Sequence, residues 1–292
     1  MDLSILAEVS THWVHDLDPF VIKFGDNFGI RWYGVSYFFG FAAAFLLLRL
    51  YHKKNISPLT PEDQSNFLTY IILGVLIGGR LGYMFFYEAG RESLSKDVFS
   101  ILKVWEGGMA SHGGFLGVAV SVIIFSKRNK YNMFMVGDFV ASVAPAGLFF
   151  GRVANFINGE LWGKVSQVQW AIIFPDPQAG PEPRHPSQLY EAGLEGLLLF
   201  LYVQHRFWRD RLVQKAPGQL VGEMLILYSI ARIFCEKFRE PDFGEDLVLG
   251  LSKGQFYSFG LIAGGIVLIV LARGRAGRLE KASGKEDSEA KE

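Results

Sequence analysis

Seven apolar blocks constrain this chain more than any other feature. Each is about 20 residues long, the length that crosses a bilayer core. They run from Ile30 to Leu50, Phe67 to Glu88, Met109 to Phe125, Phe134 to Asn158, Ser187 to Gln204, Gly218 to Phe238 and Gly254 to Leu271. The expected fold is an all-α integral membrane protein, a seven-transmembrane helical bundle over residues 30–272. Residues 1–29 form an extracytoplasmic lead-in whose Trp13, Phe20 and Phe24 suit an interface. Residues 159–186 form a polar loop containing prolines, and residues 273–292 a basic tail without fixed structure. Met1 to Asp18 lacks a basic start followed by an apolar run, so no cleavable signal peptide is expected.

Charge sets the orientation. Lys and Arg concentrate in alternate connections: Arg49, Lys53 and Lys54; Lys127, Arg128 and Lys130; Arg206, Arg209, Arg211 and Lys215; then Arg273, Arg275 and Arg278 in the tail. The intervening loops balance their basic residues with Glu88, Glu92, Asp97 and Glu106, or are acidic, with Glu240, Asp242, Glu245 and Asp246. The positive-inside rule therefore puts the N-terminus outside and the C-terminus in the cytoplasm. Formal net charge is zero, which argues against nucleic acid as a partner. The one cysteine, Cys235, excludes an internal disulfide and reads as a packing residue. Gly74, Gly78 and Gly82 in the second block, and Gly260 with Gly264 in the seventh, have the spacing of close helix packing. Pro145 weakens the ladder of the fourth block.

Several blocks end in residues that are costly in hydrocarbon and mark a site. Arg152 lies about 27 Å along the fourth block and Arg80 about 20 Å along the second, both toward the outer face. Tyr228, Arg232, Glu236 and Arg239 form one stripe of the sixth block. Arg31, Trp32 and Tyr33 head the first, and His112 heads the third. The outer loop holds Glu160, Arg184, His185 and Gln188. These groups share the outer half of the bundle. Arginine's planar fork suits phosphate oxygens, so a net cationic pocket here reads as a phospholipid headgroup site. Blander readings stand beside this one. Arg80 and Arg239 are also placed to snorkel, Arg31 and Trp32 to anchor at the interface, His112 to sit satisfied in the core, and His185 to order the loop. A lipid or anion transporter with an arginine-lined site is the competing class, although no inverted repeat or midplane site is seen.

The run from Gly151 through Arg152, Val153, Ala154, Asn155, Phe156, Ile157, Asn158, Gly159, Glu160, Leu161 and Trp162 to Gly163 resembles the signature of the bacterial prolipoprotein diacylglyceryl transferases. Further blocks agree in order: Arg31–Gly34, Gly78–Tyr83, Trp105–Gly114, Arg184–Glu191, Tyr228 with Arg232, and Phe238–Asp242. The resemblance implies transfer of the diacylglyceryl group of phosphatidylglycerol to the lipobox cysteine of a preprolipoprotein. A thioether forms and glycerol phosphate leaves, at the outer leaflet of a bacterial inner membrane. It also implies that His112, Arg152 and Arg232 are critical, with Tyr33, Asn155, Gly163 and Tyr228 in support. Arg80, Glu160, Glu236 and Arg239 complete the expected substrate site. No metal or soluble cofactor is implied. Two departures stand out: the segment between Phe174 and Arg184 is short, and Arg31 stands where histidine is common. The proton acceptor stays open between His112 and a thiol acidified by the arginines alone.

Overall fold

The computed structural model describes residues 12–25, 29–103, 107–241 and 250–289, with side chains described as far as Arg278. Residues 1–11 of the lead-in, Trp105, Glu106, Asp242, Glu245 and Asp246 lie outside the described residues. Each apolar block carries a helix: α1 Trp32–Lys53, α2 Pro61–Phe86, α4 Ser111–Asn129, α5 Met133–Ile157, α6 (residues 187–210), α8 Gln219–Cys235 and α9 Lys253–Glu289. Short helices α3 Glu88–Lys96 and α7 Leu212–Lys215 fill two connections. Among the described residues, four helices are long and apolar enough to cross a membrane: Trp32–Lys53, Pro61–Phe86, Met133–Ile157 and Lys253–Arg278.

The chain is mostly helical, as expected; among the described residues, four strands of two to four residues lie outside the helices. Helix α9 does not stop with the apolar block but runs on to Glu289. Beyond Leu271 the residues are mostly Ala, Arg, Lys, Glu and Leu with no proline, all compatible with a continuing helix. The sixth helix stops at Cys235, three residues short of Phe238.

The contacts sort the chain into two compact units. One is Ala44–Phe139; the other takes in the described residues up to Ala43 and from Val140 onward. In the Ala44–Phe139 unit, Thr60 starts α2 through a capping box. Its hydroxyl accepts from the Asp63 N–H at 3.1 Å, and the Asp63 carboxylate accepts from the Thr60 N–H at 3.1 Å. Helices α2 and α4 then meet through glycines, as their spacing predicts. A Cβ at Gly74 would lie 2.6 Å from the Gly117 carbonyl oxygen, and one at Gly82 would lie 2.8 Å from the Gly113 Cα. Backbones this close leave no room for a methyl group.

In the other unit, α8 and α9 also approach through glycines, but not through the pair expected. A Cβ at Gly222 would lie 2.6 Å from the Gly265 carbonyl oxygen, whereas one at Gly260 or Gly264 would meet nothing within 4 Å. Spacing alone does not say which face of a helix is used. Helix α5 continues through Pro145. Three residues earlier, the Ser142 carbonyl accepts a bond from Gln204 Nε2 of α6 at 2.7 Å, in the turn where proline weakens the ladder. Helix α6 is itself irregular: Ser187–Glu191 is α-helical, Ala192–Leu198 is π-helical and Leu199–Asp210 is α-helical again.

The 159–186 segment is ordered rather than a plain loop. Strand β4, Ile172–Ile173, pairs in parallel with β1, Trp13–Val14. Ile172, Phe174 and Ala179 form a small buried core against Phe156 and Trp162. Strands β2, Phe20–Lys23, and β3, Gly29–Arg31, form a separate antiparallel pair. There Arg31 lies 4.7 Å from the centre of the Phe20 ring, an arrangement that fits an interfacial anchor.

Candidate active site

The site begins where α5 ends. Gly159 adopts a left-handed conformation, φ +69°, which turns the chain out of the helix. Its N–H donates to the Phe156 carbonyl at 3.0 Å, and the Glu160 N–H donates to the Asn155 carbonyl at 3.1 Å. The turn brings Glu160 back over the last helical residues. Asn155 Nδ2 donates to Glu160 Oε1 at 2.7 Å and Asn158 Nδ2 at 3.2 Å. Gln188 Nε2, at the head of α6, donates to the Glu160 carbonyl at 2.7 Å. Asn155 and Glu160, both expected in the site, thus form one hydrogen-bonded turn.

One turn deeper, Arg152 reaches α6. Its Nε lies 2.9 Å from Glu191 Oε2 and its Nη2 lies 3.4 Å from Glu195 Oε2. Arg232 comes from α8 to the same carboxylates. Its Nη1 is 3.0 Å from Glu191 Oε1 and 3.6 Å from Glu195 Oε1, while Nη2 is 2.5 Å from Glu236 Oε1. Arg239 Nη1 lies 3.6 Å from Glu191 Oε1. Glu191 is therefore the bridge, with one oxygen toward Arg152 and the other toward Arg232 and Arg239. The Tyr228 side chain lies within electrostatic reach of Glu195, Arg232 and Arg152. Arg152, Arg232, Glu236, Arg239 and Tyr228 are thus brought together as their spacing predicts.

The expected net positive pocket is corrected. Three arginines face three glutamates, which balance formally. Glu191 and Glu195 supply the difference, and neither was singled out as a site residue. A signal was present, since two carboxylates four residues apart in an apolar block are as costly as the arginines opposite. The carboxylates are sealed off, at 1% and 0% side-chain exposure, while Arg152 keeps 17% and Arg232 12%. The arginine side chains thus stay more accessible than the carboxylates that back them. A guanidinium fork suits phosphate oxygens.

Gly163 holds the outer segment to the end of α8. A Cβ there would lie 2.5 Å from both the His185 and Phe238 carbonyl oxygens, so only glycine fits. Its N–H donates to the His185 carbonyl at 2.9 Å. Arg184 Nη1 donates to the Gly163 carbonyl at 3.1 Å and pairs with Glu240 at 3.0 Å. The His185 ring lies 3.0 Å from the Tyr190 hydroxyl and packs edge-on against Phe238, an arrangement that orders this segment. Burial pushes the His185 imidazole below its ordinary pKa. His15, given no role from the sequence, is buried and bonds through Nε2 to the Phe156 carbonyl at 2.7 Å. Tyr33 packs its ring edge-on to Tyr37, and no described hydrogen bond joins it to the arginines.

His112 and Arg80 belong to the Ala44–Phe139 unit. His112 is exposed at the second position of α4. Arg80 is buried and spends its donors on backbone: the Ser100 carbonyl at 2.5 Å, Gly108 at 3.1 Å, Ile101 at 3.2 Å, and Gly107. This is neither snorkelling nor a free cation for substrate. These carbonyls, among them that of buried Ser100, find their donors in Arg80.

Residues 19–271 match the profile of the family described as prolipoprotein diacylglyceryl transferase. The phosphatidylglycerol–prolipoprotein diacylglyceryl transferase of Rhodospirillum rubrum is 43% identical over 260 residues, covering 88% of this chain and 93% of the relative. That of Solidesulfovibrio magneticus is 44% identical over 260 residues, covering 88% and 96%. That of Allorhizobium ampelinum is 42% identical over 276 residues, covering 92% and 94%. This chain belongs to the prolipoprotein diacylglyceryl transferase family.

Proposed function

We propose that the protein transfers the diacylglyceryl group of phosphatidylglycerol to the lipobox cysteine thiol of a preprolipoprotein. The product is a thioether, and glycerol phosphate leaves. One observation carries this reading. Arg152 and Arg232, from two different helices, are drawn together by the shared carboxylates of Glu191 and Glu195 and stay more exposed than those carboxylates.

The reaction needs a thiolate, since a thiol is a poor nucleophile, and a phosphate able to leave with the bonding electrons. Arg152 and Arg232 bind the phosphate and stabilise the charge that grows on it. Preorganised donors of this kind contribute about 2.7–4 kcal/mol each at analogous sites. Glu236 and Arg239 flank Arg232, and Asn155, Glu160, Tyr33 and Tyr228 orient headgroup and arginines. Gly163 lets the outer segment close on α8, and Arg80 holds the Ser100 and Gly108 carbonyls in place. His112 takes the thiol proton, since histidine is the side chain that most often serves as a general base. A pH profile of transfer by His112→Asn checks this last role, and a near-normal rate at neutral pH removes it.

The chain crosses a bacterial inner membrane seven times, N-terminus outside and C-terminus in the cytoplasm, with the site toward the outer leaflet. The distribution of Lys and Arg among the connections supports this orientation. No specific observation favours a transporter. Incubating the purified protein with phosphatidylglycerol and a lipobox peptide should give a peptide heavier by one diacylglyceryl group. A Cys→Ser peptide should stay unchanged. Unmodified cysteine peptide, with lipid and protein both present, would refute the assignment.

A further inference from the structure

Among the described residues the ion pairs of the buried cluster balance formally: Arg152, Arg232 and Arg239 face Glu191, Glu195 and Glu236. A phosphodiester adds one negative charge. Burying that charge without compensation is costly, and ionisable groups avoid the cost by changing protonation state. One carboxylate must therefore give way when the lipid binds.

The geometry distinguishes the candidates. Glu191 is gripped at 2.9 Å and 3.0 Å by two arginines. Glu236 is held at 2.5 Å by Arg232. Glu195 has the weakest hold: its ion pairs are the long ones, 3.4 Å and 3.6 Å. It is fully buried; its Oε2 accepts from Arg152 Nη2 at 3.4 Å, while its Oε1, like Glu191 Oε2, has no hydrogen-bond partner among the described residues. It also sits in the π-helical stretch Ala192–Leu198, the irregular part of α6. Such stretches recur where a helix serves a site rather than a fold. Around Glu195 stand Arg152 from α5, Tyr228, Arg232 and Cys235 from α8, Arg239 just beyond it, and Glu191 one turn earlier.

Resting on the transferase reading above, we infer that Glu195 is the exchangeable counter-ion of the phosphate site. It neutralises Arg152 and Arg232 while the site is empty. When phosphatidylglycerol binds, the phosphate takes its place against the arginines, and the displaced carboxylate takes up one proton from solvent. Binding and proton uptake are then linked, so affinity for the lipid falls as pH rises. Glu191 stays ionised and keeps the two guanidinium groups in register.

The test uses the full-length protein in detergent with short-chain phosphatidylglycerol. Calorimetry in two buffers of different ionisation enthalpy counts the protons exchanged per lipid bound. The wild-type protein should take up about one, and infrared difference spectra should show a new carboxylic-acid carbonyl band. Glu195→Gln should take up none, lack the band and bind about tenfold more tightly near neutral pH, because no proton need be supplied. Wild-type binding without proton uptake overturns the inference even if the variant fails to fold. So does a Glu195→Gln protein that keeps the proton uptake or binds more weakly. Those results leave the transferase reading intact if the lipobox peptide is still modified. Loss of both lipid binding and peptide modification in the wild type brings down both.

Discussion

Arg80 and Arg152 look alike in the sequence, each a lone arginine toward the outer end of an apolar block. In the structure they do different work. Arg80 is bound to the backbone carbonyls of Ser100, Ile101, Gly107 and Gly108, and Arg152 to the carboxylates of Glu191 and Glu195. Releasing Arg80 would leave the buried Ser100 carbonyl without its guanidinium donor, at about 1–3 kcal/mol for such a group. Carboxylate partners can be exchanged for another anion, so Arg152 can trade one ion pair for a phosphate. An intramembrane arginine is therefore a candidate for chemistry when its partners are replaceable, and part of the framework when they are not.

This difference can be broken in several places. The largest effect is expected from Glu191→Gln. It removes the bridge that holds Arg152 and Arg232 side by side, and transfer should fall roughly a hundredfold, as for loss of a preorganised contact. A rate within about threefold of wild type would mean that the arginines need no bridge. Arg80→Gln should act on stability instead, lowering it by at least about 2 kcal/mol through lost charged hydrogen bonds. Its transfer rate per folded molecule should change little, and a hundredfold loss there would erase the distinction from Arg152. Gly117→Ala, on the α4 face that meets α2, should cost about 1–3 kcal/mol by overpacking, read as a lower melting temperature. The smallest effect concerns His185. Its folded-state pKa lies below the ordinary value, so the unfolded chain binds the proton more readily. Stability contributed by its burial is present above the ordinary histidine pKa and declines as pH falls through it. Hydrogen exchange in residues 184–190 should speed up on mild acidification, and unchanged exchange would contradict this.

Much of this was legible in the chain. Apolar length located every long helix, and the α2 glycine stripe did meet another helix, because backbone approach is a local property of small residues. The polar end of α5 was readable for a similar reason: Arg152, Asn155, Gly159 and Glu160 lie close in sequence and build one turn. What escaped depended on partners far along the chain. Glu191 was read only as the end of the Arg184–Glu191 match and Glu195 only as part of an apolar block, and without their charge the cluster looked cationic. The π-helical stretch that carries Glu195 has no period distinct enough to announce it. His15 gained its role only because β1 pairs with β4, a contact between segments far apart in sequence. In α9, glycine spacing named Gly260 and Gly264, but the packing face is set by Gly222 opposite, which selects Gly265.

The central claim is that the carboxylate-held arginines do the chemistry while the carbonyl-held one does not. It is tested most directly by initial rates of lipobox-peptide modification with Arg152→Ala, Arg232→Ala and Arg80→Ala proteins, each corrected for its folded fraction. The first two should be slower than wild type by about 10²–10³, and the third within about threefold. Near-wild-type rates for Arg152→Ala or Arg232→Ala would contradict the phosphate clamp.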